Sequence, residues 1–220
     1  MLDKNFKPSL RFMVVSDIHL KNEDCIEEQR FASALKYAYS IARSSENYKR
    51  LDAVVIVGDF ANSGTEIQMQ KAKSILDAGV DYTETQVITS FASHETNSEG
   101  TEVAAERMKR ILLQDPDQHR VINGFHFVSI SPSRSCNYDD NKKAWMTKEL
   151  ACAAKDDRSK PIFVFQHPHN TGTVYGSILW GEDELISIYM NYPQIIHFSG
   201  HSHAPITDPR SIHQQHFTSL

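Results

Sequence analysis

The chain is poor in cysteine, has no long apolar run and carries no excess of positive charge, and each lack excludes something. Its three cysteines, Cys25, Cys136 and Cys152, are odd in number, far apart and in no CxxC or CxxH spacing, so neither a disulfide framework nor a thiolate metal knuckle is expected. They read as small buried hydrophobes in a reducing compartment, which leaves oxygen and nitrogen as the only expected ligand atoms. The longest apolar stretches, AVVIV and PIFVF, are far too short to span a bilayer, and the opening MLDKNFKPSLRF is charged, without the apolar segment of a secretory signal. No membrane is expected as a partner, and the expected location is cytoplasmic. The formal charge of −5 is accompanied by Lys and Arg scattered in short clusters such as KNFK, RMKR and NKK. Bulk nucleic-acid binding is therefore not expected.

What the chain does have is material for one substantial core: 220 residues, 40% of them hydrophobic, predict a single domain over 1–220. Apolar runs of strand length recur as LRFMVVSD, LDAVVIVGD, TQVITSFAS, GFHFVSIS, KPIFVFQH and QIIHFSGH. Most lack polar alternation, which suits strands covered on both faces. Helical patterns lie between them: EEQRFASALKYAYSIARS, with Phe31, Leu35, Ala38 and Ala42 on one stripe, then GTEIQMQKAKSILDAG, EVAAERMKRILLQ, KKAWMTKELACAAK and GEDELISIYMNY. Alternation of the two predicts the α/β class. The closing HQQHFTSL reads as the beginning of another strand.

The chemistry is concentrated where the strands end, the edge at which α/β sheets bind ligands. VVSDIHL ends in Asp17 and His19, VIVGDFAN in Asp59 and Asn62, and SFASHE in Ser93, His94 and Glu95; FVFQHPH ends in His167 and His169, and HFSGHSH in His201 and His203. Singly, each has an ordinary explanation: an aspartate caps helices, Gly-Asp makes turns, and a lone histidine is usually a satisfied core or loop residue. Together, carboxylates and imidazoles from five strands at one edge have no packing rationale, because such groups when buried must be paired or bound to metal. A metal site built from Asp and His suits Mn, Fe, Zn, Co or Ni. Asp59 could bridge two ions, which makes two divalent metals the natural count.

In order, SDIHL, GDFAN, ASHE, FQHPH and GHSH resemble the blocks D-x-H, G-D-x-x-[DN], G-N-H-[DE], a lone H and G-H-x-H of the calcineurin-like metallophosphoesterase superfamily. The resemblance spans Asp17 to His203 and is complete in four of the five blocks. It implies a four-layer α/β/β/α sandwich, with further C-terminal strands of the second sheet missing after the last block. It also implies a first metal on Asp17, His19, Asp59 and His203, a second on Asp59, His167, His201 and Ser93, and His94 as the catalytic histidine. The implied activity is metal-dependent hydrolysis of a phosphomonoester or phosphodiester by a hydroxide formed at the dinuclear site, with His94 as general acid.

Two departures qualify the resemblance. Relatives carry Gly-Asn where Ala92 and Ser93 stand here, and a serine hydroxyl is a poorer, shorter metal ligand than a carboxamide. A β-carbon at position 92 would also restrict the backbone that aims residue 93. Protein phosphatases of the superfamily place an aspartate followed by an arginine where this chain has Asn62 and Ser63. A small or nucleotide-like phosphoester is therefore the better expectation for a small-molecule substrate. The alternative, favoured by Ser93, is a catalytically impaired metal-binding scaffold or binding module of the same fold. The remaining histidines, His119, His126, His169, His197, His213 and His216, are expected at the surface or behind the ligands, with His169 the nearest to an exception. In the NTGTVYGSILWG loop, Tyr175 and Trp180 are expected to pack the loop down rather than line a pocket.

Overall fold

A computed structural model describes residues 6–220, so the opening MLDKN, and with it part of the charged KNFK cluster, lies outside the described residues. Strands β1 (Phe12–Val15), β2 (Ala53–Val57) and β3 (Gln86–Ser90) pair side by side in parallel, Val14 against Val55 and Val55 against Ile88. All five residues of β2 are buried, as expected for the central strand of a sheet covered on both faces. Each fully buried Val or Ile contributes about 1.5–3 kcal/mol.

The connections are helical. Helix α1 (Ile26–Ser44) joins β1 to β2, and α2 (Glu66–Gly79) joins β2 to β3. At the start of α1 the Cys25 backbone N–H donates to Glu28 Oε1, and at the start of α2 the Gln68 N–H donates to Thr65 Oγ1. The β3 exit enters a single turn, α3 (Ser93–Thr96), followed by α4 (Thr101–Arg107), which widens into a π turn over Met108–Leu112.

The second sheet has six strands. In chain order they are β4 (Gln118–Ile122), β5 (Phe125–Ser129), β6 (Ile162–Phe165), β9 (Ile195–Phe198), β10 (His213–Gln214) and β11 (Thr218–Ser219), arranged spatially β10-β11-β9-β6-β5-β4. Strands β5, β6, β9 and β11 run parallel, whereas β4 and β10 are antiparallel edges. Strand β4 was not among the expected strands. It forms a hairpin with β5 through Asn123 and Gly124, both at positive φ (52° and 76°), the conformation that Asn-Gly turns supply. After the last ligand block the sheet gains β10 and β11, both within the HQQHFTSL stretch read as the beginning of a strand.

Helix α5 (Asp140–Asp156) connects β5 to β6 and is capped by Asp139, whose carboxylate accepts the Lys142 N–H at 3.0 Å. A two-stranded ribbon follows, β7 (His169–Asn170) with β8 (Gly181–Glu182), enclosing the single turn α6 (Ser177–Trp180). The helix expected over 181–192 is only the turn α7 (Ile186–Tyr189). The buried Glu182 carboxylate accepts the N–H groups of Glu184 (2.6 Å) and Leu185 (3.0 Å) and the Gln166 side-chain amide (2.8 Å), which ties 181–182 into the ribbon instead.

Three apolar clusters order these parts. One packs α1, α2 and α4 on the outer face of the first sheet, with Phe31, Leu35 and Ala42 of the expected stripe buried and Ala38 partly so. A second joins the inner faces of the two sheets through Val55, Val57 and Ile88 against Phe127, Phe163 and Phe165. The third packs α5 and α7 on the far side of the second sheet, around Val128, Val164 and Leu150. The carboxyl ends of β1, β2, β3, β6 and β9 are thereby brought to one edge. Among the described residues no helix is long and apolar enough to cross a membrane.

Candidate metal centre

Beyond their last ladder bonds, the exits of β1 and β2 stay in step: the His19 N–H donates to the Asp59 carbonyl (3.0 Å) and the Leu20 N–H to that of Phe60 (2.9 Å). The turn after β2 requires Gly58. Its φ is +72°, and a β-carbon there would stand 2.6 Å from that of Ala92 and 2.9 Å from that of His167. Asp17, His19, Asp59, His201 and His203 also adopt positive φ, five of the eight non-glycine residues that do so in the described chain. A left-handed backbone costs on the order of 1–3 kcal/mol at such residues and persists where surrounding structure holds it, characteristically at functional sites.

These strained exits converge. Potential ligand atoms of Asp17, His19 and His203 lie within 4.8 Å of one another, as do those of His19, Asp59 and His94, and those of Asp59, His167 and His201. The groups are chained: His19 belongs to the first two and Asp59 to the last two. The His19 and His203 Nε2 atoms face each other at 3.1 Å, and His203 Nε2 is 3.2 Å from Asp17 Oδ1. The Asp17 carboxylate also accepts the His201 N–H at 3.1–3.2 Å, pinning the loop after β9 to the first sheet. All the expected carboxylate and imidazole ligands are thus brought together. Ser93 stands beside them, its hydroxyl 3.4 Å from Asp59 Oδ2.

The residues present fit divalent cations. His167 is fully buried and its Nδ1 lies 2.7 Å from the Val57 carbonyl. A carbonyl can only accept, so Nδ1 carries the proton and the Nε2 lone pair is left for an ion. That Nε2 has no hydrogen-bond partner, although Asp59 Oδ2 stands 2.9 Å away. Burial by itself would lower the His167 pKa, but the contact and charge of Asp59 outweigh it and push it up to about 9. Burial likewise works to raise Asp59, and the His167 contact overcomes this, holding it at about 2. Without metal the two are an ion pair, in which a proton occupies the position a cation would take. Burial lowers the pKa of His19 and His201, aided by their imidazole neighbours, which favours the neutral, ligating form.

His94 is oriented by the same rule. Its Nδ1 lies 2.7 Å from the Asn62 carbonyl, so Nδ1–H donates there and Nε2 is free beside the His19 ring, whose centroid is 4.5 Å away. The orienting acceptor is a backbone carbonyl, independent of the residue type at position 62. The His94 backbone N–H donates to Asp59 Oδ1 at 2.9 Å. Beneath both, buried Glu95 accepts the N–H groups of Asp59 (3.0 Å), Ala61 (2.7 Å) and Ala92 (2.7 Å), bracing the β2 and β3 exits together. Burial, then Asp59, push its carboxyl up to about 8. Ala92 adopts φ −144° and ψ −150°, extended backbone that an alanine accommodates.

Several expectations need correction. No cysteine is buried: Cys25 and Cys136 are half-buried and Cys152 is exposed. Cys136 Sγ lies 3.6 Å from His201 Nε2, so a thiol does border the centre; only packing between distant segments brings it there. His197 and His126 are buried rather than superficial, and His169 holds Ser199 and Ser202 hydroxyls on its two ring nitrogens, each at 2.7 Å. Trp180 and Tyr175 are substantially exposed, and the Trp180 ring stands edge-on to His201, with centroids 5.4 Å apart.

Comparison with known proteins identifies the family and the fold. The calcineurin-like phosphoesterase family matches residues 10–205. Among solved structures, a purple acid phosphatase from yellow lupin (Lupinus luteus) seeds is similar at 12% identity and a TM-score of 0.58, over 88% of this chain and 38% of its own. The chain thus spans well under half the length of the lupin protein. A phosphopantetheinyl hydrolase from Mycobacterium tuberculosis is similar at 12% identity and a TM-score of 0.50, over 95% of this chain and 87% of its own. No curated protein matches the chain. The family match covers most of its length, and the chain belongs to the calcineurin-like phosphoesterase family.

Proposed function

We propose that this chain, acting as one domain over 1–220 in the cytoplasm, hydrolyses a small phosphoester at a centre of two divalent metals drawn from Mn, Fe, Zn, Co and Ni. The observation that carries the reading is the chaining of three ligand groups through His19 and Asp59. Asp17, His19, Asp59 and His203 would hold one ion, and Asp59, His167 and His201, with Ser93 alongside, the other. Divalent cations supply charge neutralisation for phosphate oxygens and acidify water at neutral pH. The chain supplies the rest. His94, held through its Nδ1–H by the Asn62 carbonyl, would in its doubly protonated form give the Nε2 proton to the departing alkoxide and be left as the neutral Nδ1–H imidazole. Asp59 and His94 are coupled by the backbone bond at 2.9 Å, so metal binding and acid placement depend on one carboxylate.

The test is hydrolysis of an aryl phosphate and an aryl phosphodiester with and without added Mn, alongside elemental analysis. Turnover should rise with Mn and vanish with a chelator; chelator-insensitive turnover would sink the proposal. A second reading, a one-metal scaffold, is favoured by Ser93, whose hydroxyl is 3.4 Å from Asp59 Oδ2 and offers a weak ligand. One bound metal per chain together with no turnover on either ester would select it.

A further inference from the structure

Two cavities flank β1 beside the centre, and they differ in chemistry. The smaller, about 310 Å³, has Glu27 and Arg30 in its wall. The larger, about 610 Å³, lies in the roughly 300–1,000 Å³ range of small-molecule sites. Val14, Val174, Tyr175, Phe198, Ile206 and Ile212 line it, with serine hydroxyls between them and no lysine or arginine. Asp17 and His203, members of the first ligand group, form part of the same wall. Arg210 stacks its guanidinium on the Tyr175 ring of this wall (3.8 Å), where its charge is already paired with Asp208 at 2.7 Å.

The apolar character continues outside. Ile206 is 90% exposed, Ile178 and Leu179 of α6 are each 83% exposed, and Ile212 and Trp180 are more than half exposed. The α6 segment and the 202–212 loop are joined, since the Tyr175 N–H donates to the Arg210 carbonyl at 3.0 Å. Scattered exposed hydrophobics are ordinary, but Ile206 and Ile212 belong to the cavity wall itself, and Gly176, just before α6, lies against Ser202 of the same wall. A charged leaving group would find no cationic partner there, and apolar area would go unused.

We infer that the larger cavity receives the ester substituent of the substrate, and that this substituent is an uncharged, apolar alkyl or aryl group rather than a nucleotide. The inference rests on the phosphoesterase reading and narrows its substrate class. With phosphorus at the metal centre, the alcohol portion would pass the Asp17 and His203 wall into the cavity and meet Ile206 and Ile212 in its lining.

Binding of n-alkylphosphonates, methyl to octyl, to the whole chain with Mn²⁺ present tests this by calorimetry without any need for turnover. Each buried methylene is worth at most about fourfold in affinity, and with partial burial the hexyl compound should bind at least about tenfold more tightly than the methyl. In an I206S/I212S double variant, exposed enough at both positions to fold, the hexyl-to-methyl ratio should fall severalfold. A flat chain-length profile, no phosphonate binding, an unchanged ratio in the double variant, or tighter binding of adenosine monophosphate than of hexylphosphonate would each overturn the inference. Hydrolysis of an aryl phosphate separates the two claims. Length-dependent phosphonate binding without hydrolysis would keep the apolar subsite and refute the hydrolase reading, whereas hydrolysis with length-independent binding would do the reverse.

Discussion

His167 and His197 look alike by every local measure. Both follow or lie within hydrophobic strands, both are fully buried, and both have Nδ1 held, by the Val57 carbonyl at 2.7 Å and the Ser219 hydroxyl at 2.8 Å respectively. In both, Nε2 lacks a hydrogen-bond partner. Their charge states are nevertheless opposite. Burial, with His169 nearby, lowers His197 to about 3, whereas Asp59 raises His167 to about 9 against the same burial. His197 packs among Tyr189 and Phe217; His167 has a carboxylate 2.9 Å away. Neighbouring carboxylates, Asp59 foremost and Asp17 at 3.7 Å, separate a core histidine from a candidate ligand, because a buried imidazole keeps a proton only where a negative charge compensates its desolvation.

Removing the Asp59 carboxylate should have the largest effect. Asp59→Ala takes a donor from two of the three ligand groups and leaves His167 with only the more distant Asp17, at 3.7 Å. Metal content by elemental analysis should fall toward zero, and turnover on an aryl phosphoester should drop further than in any other single variant. Two metals retained per chain would break the comparison. His94→Ala comes next: metal content should stay, while turnover falls about 10²-fold, less for esters with acidic leaving groups. Equal losses across a leaving-group series would remove the general-acid role.

The other side of the comparison is tested by acid. The folded-state pKa of His197, about 3, lies below the unfolded value of about 6.5, so the unfolded chain takes up the proton first as pH falls. The stabilisation is complete above that unfolded value and is lost progressively down to the folded one, by at most about 1.4 kcal/mol per pH unit. Urea midpoints should decline from pH 7 to pH 5, and His197→Phe should flatten that decline by one proton's worth with metal content unchanged. An unaltered slope would assign the loss to other groups. The smallest effect is expected from Ser93→Asn, which places a carboxamide beside Asp59. The Mn concentration for half-maximal rate should fall severalfold, and with Ala92 at φ −144° no second substitution is needed. No change in rate or metal stoichiometry would take position 93 out of the ligand set.

Six strands could be read from apolar runs, and four of the five helical patterns form helices, because those patterns are local. The hairpin strand β4 was missed although Asn123-Gly124 marks its turn. Its polar sequence, QHRVI, hides a pairing that depends on β5. The 181–192 segment carries a helical pattern, but the buried Glu182 side chain reorganises its start, and local periodicity cannot register a long-range anchor.

By itself the sequence determined the donor types and their places at the ends of hydrophobic strands, since side-chain chemistry and strand period are properties of short segments. Tertiary structure alone decided which donors meet. Asp17 accepts the backbone N–H of His201 from 184 residues away, Asp59 receives that of His94 from 35, and His167 is oriented by a carbonyl 110 residues earlier. It also decided that Cys136 borders His201 and that His197 does not belong to the centre. Protonation and ligation depend on charges and lone pairs within about 4 Å, where Coulomb and hydrogen-bond energies outweigh desolvation, and such distances exist only once the two sheets have packed.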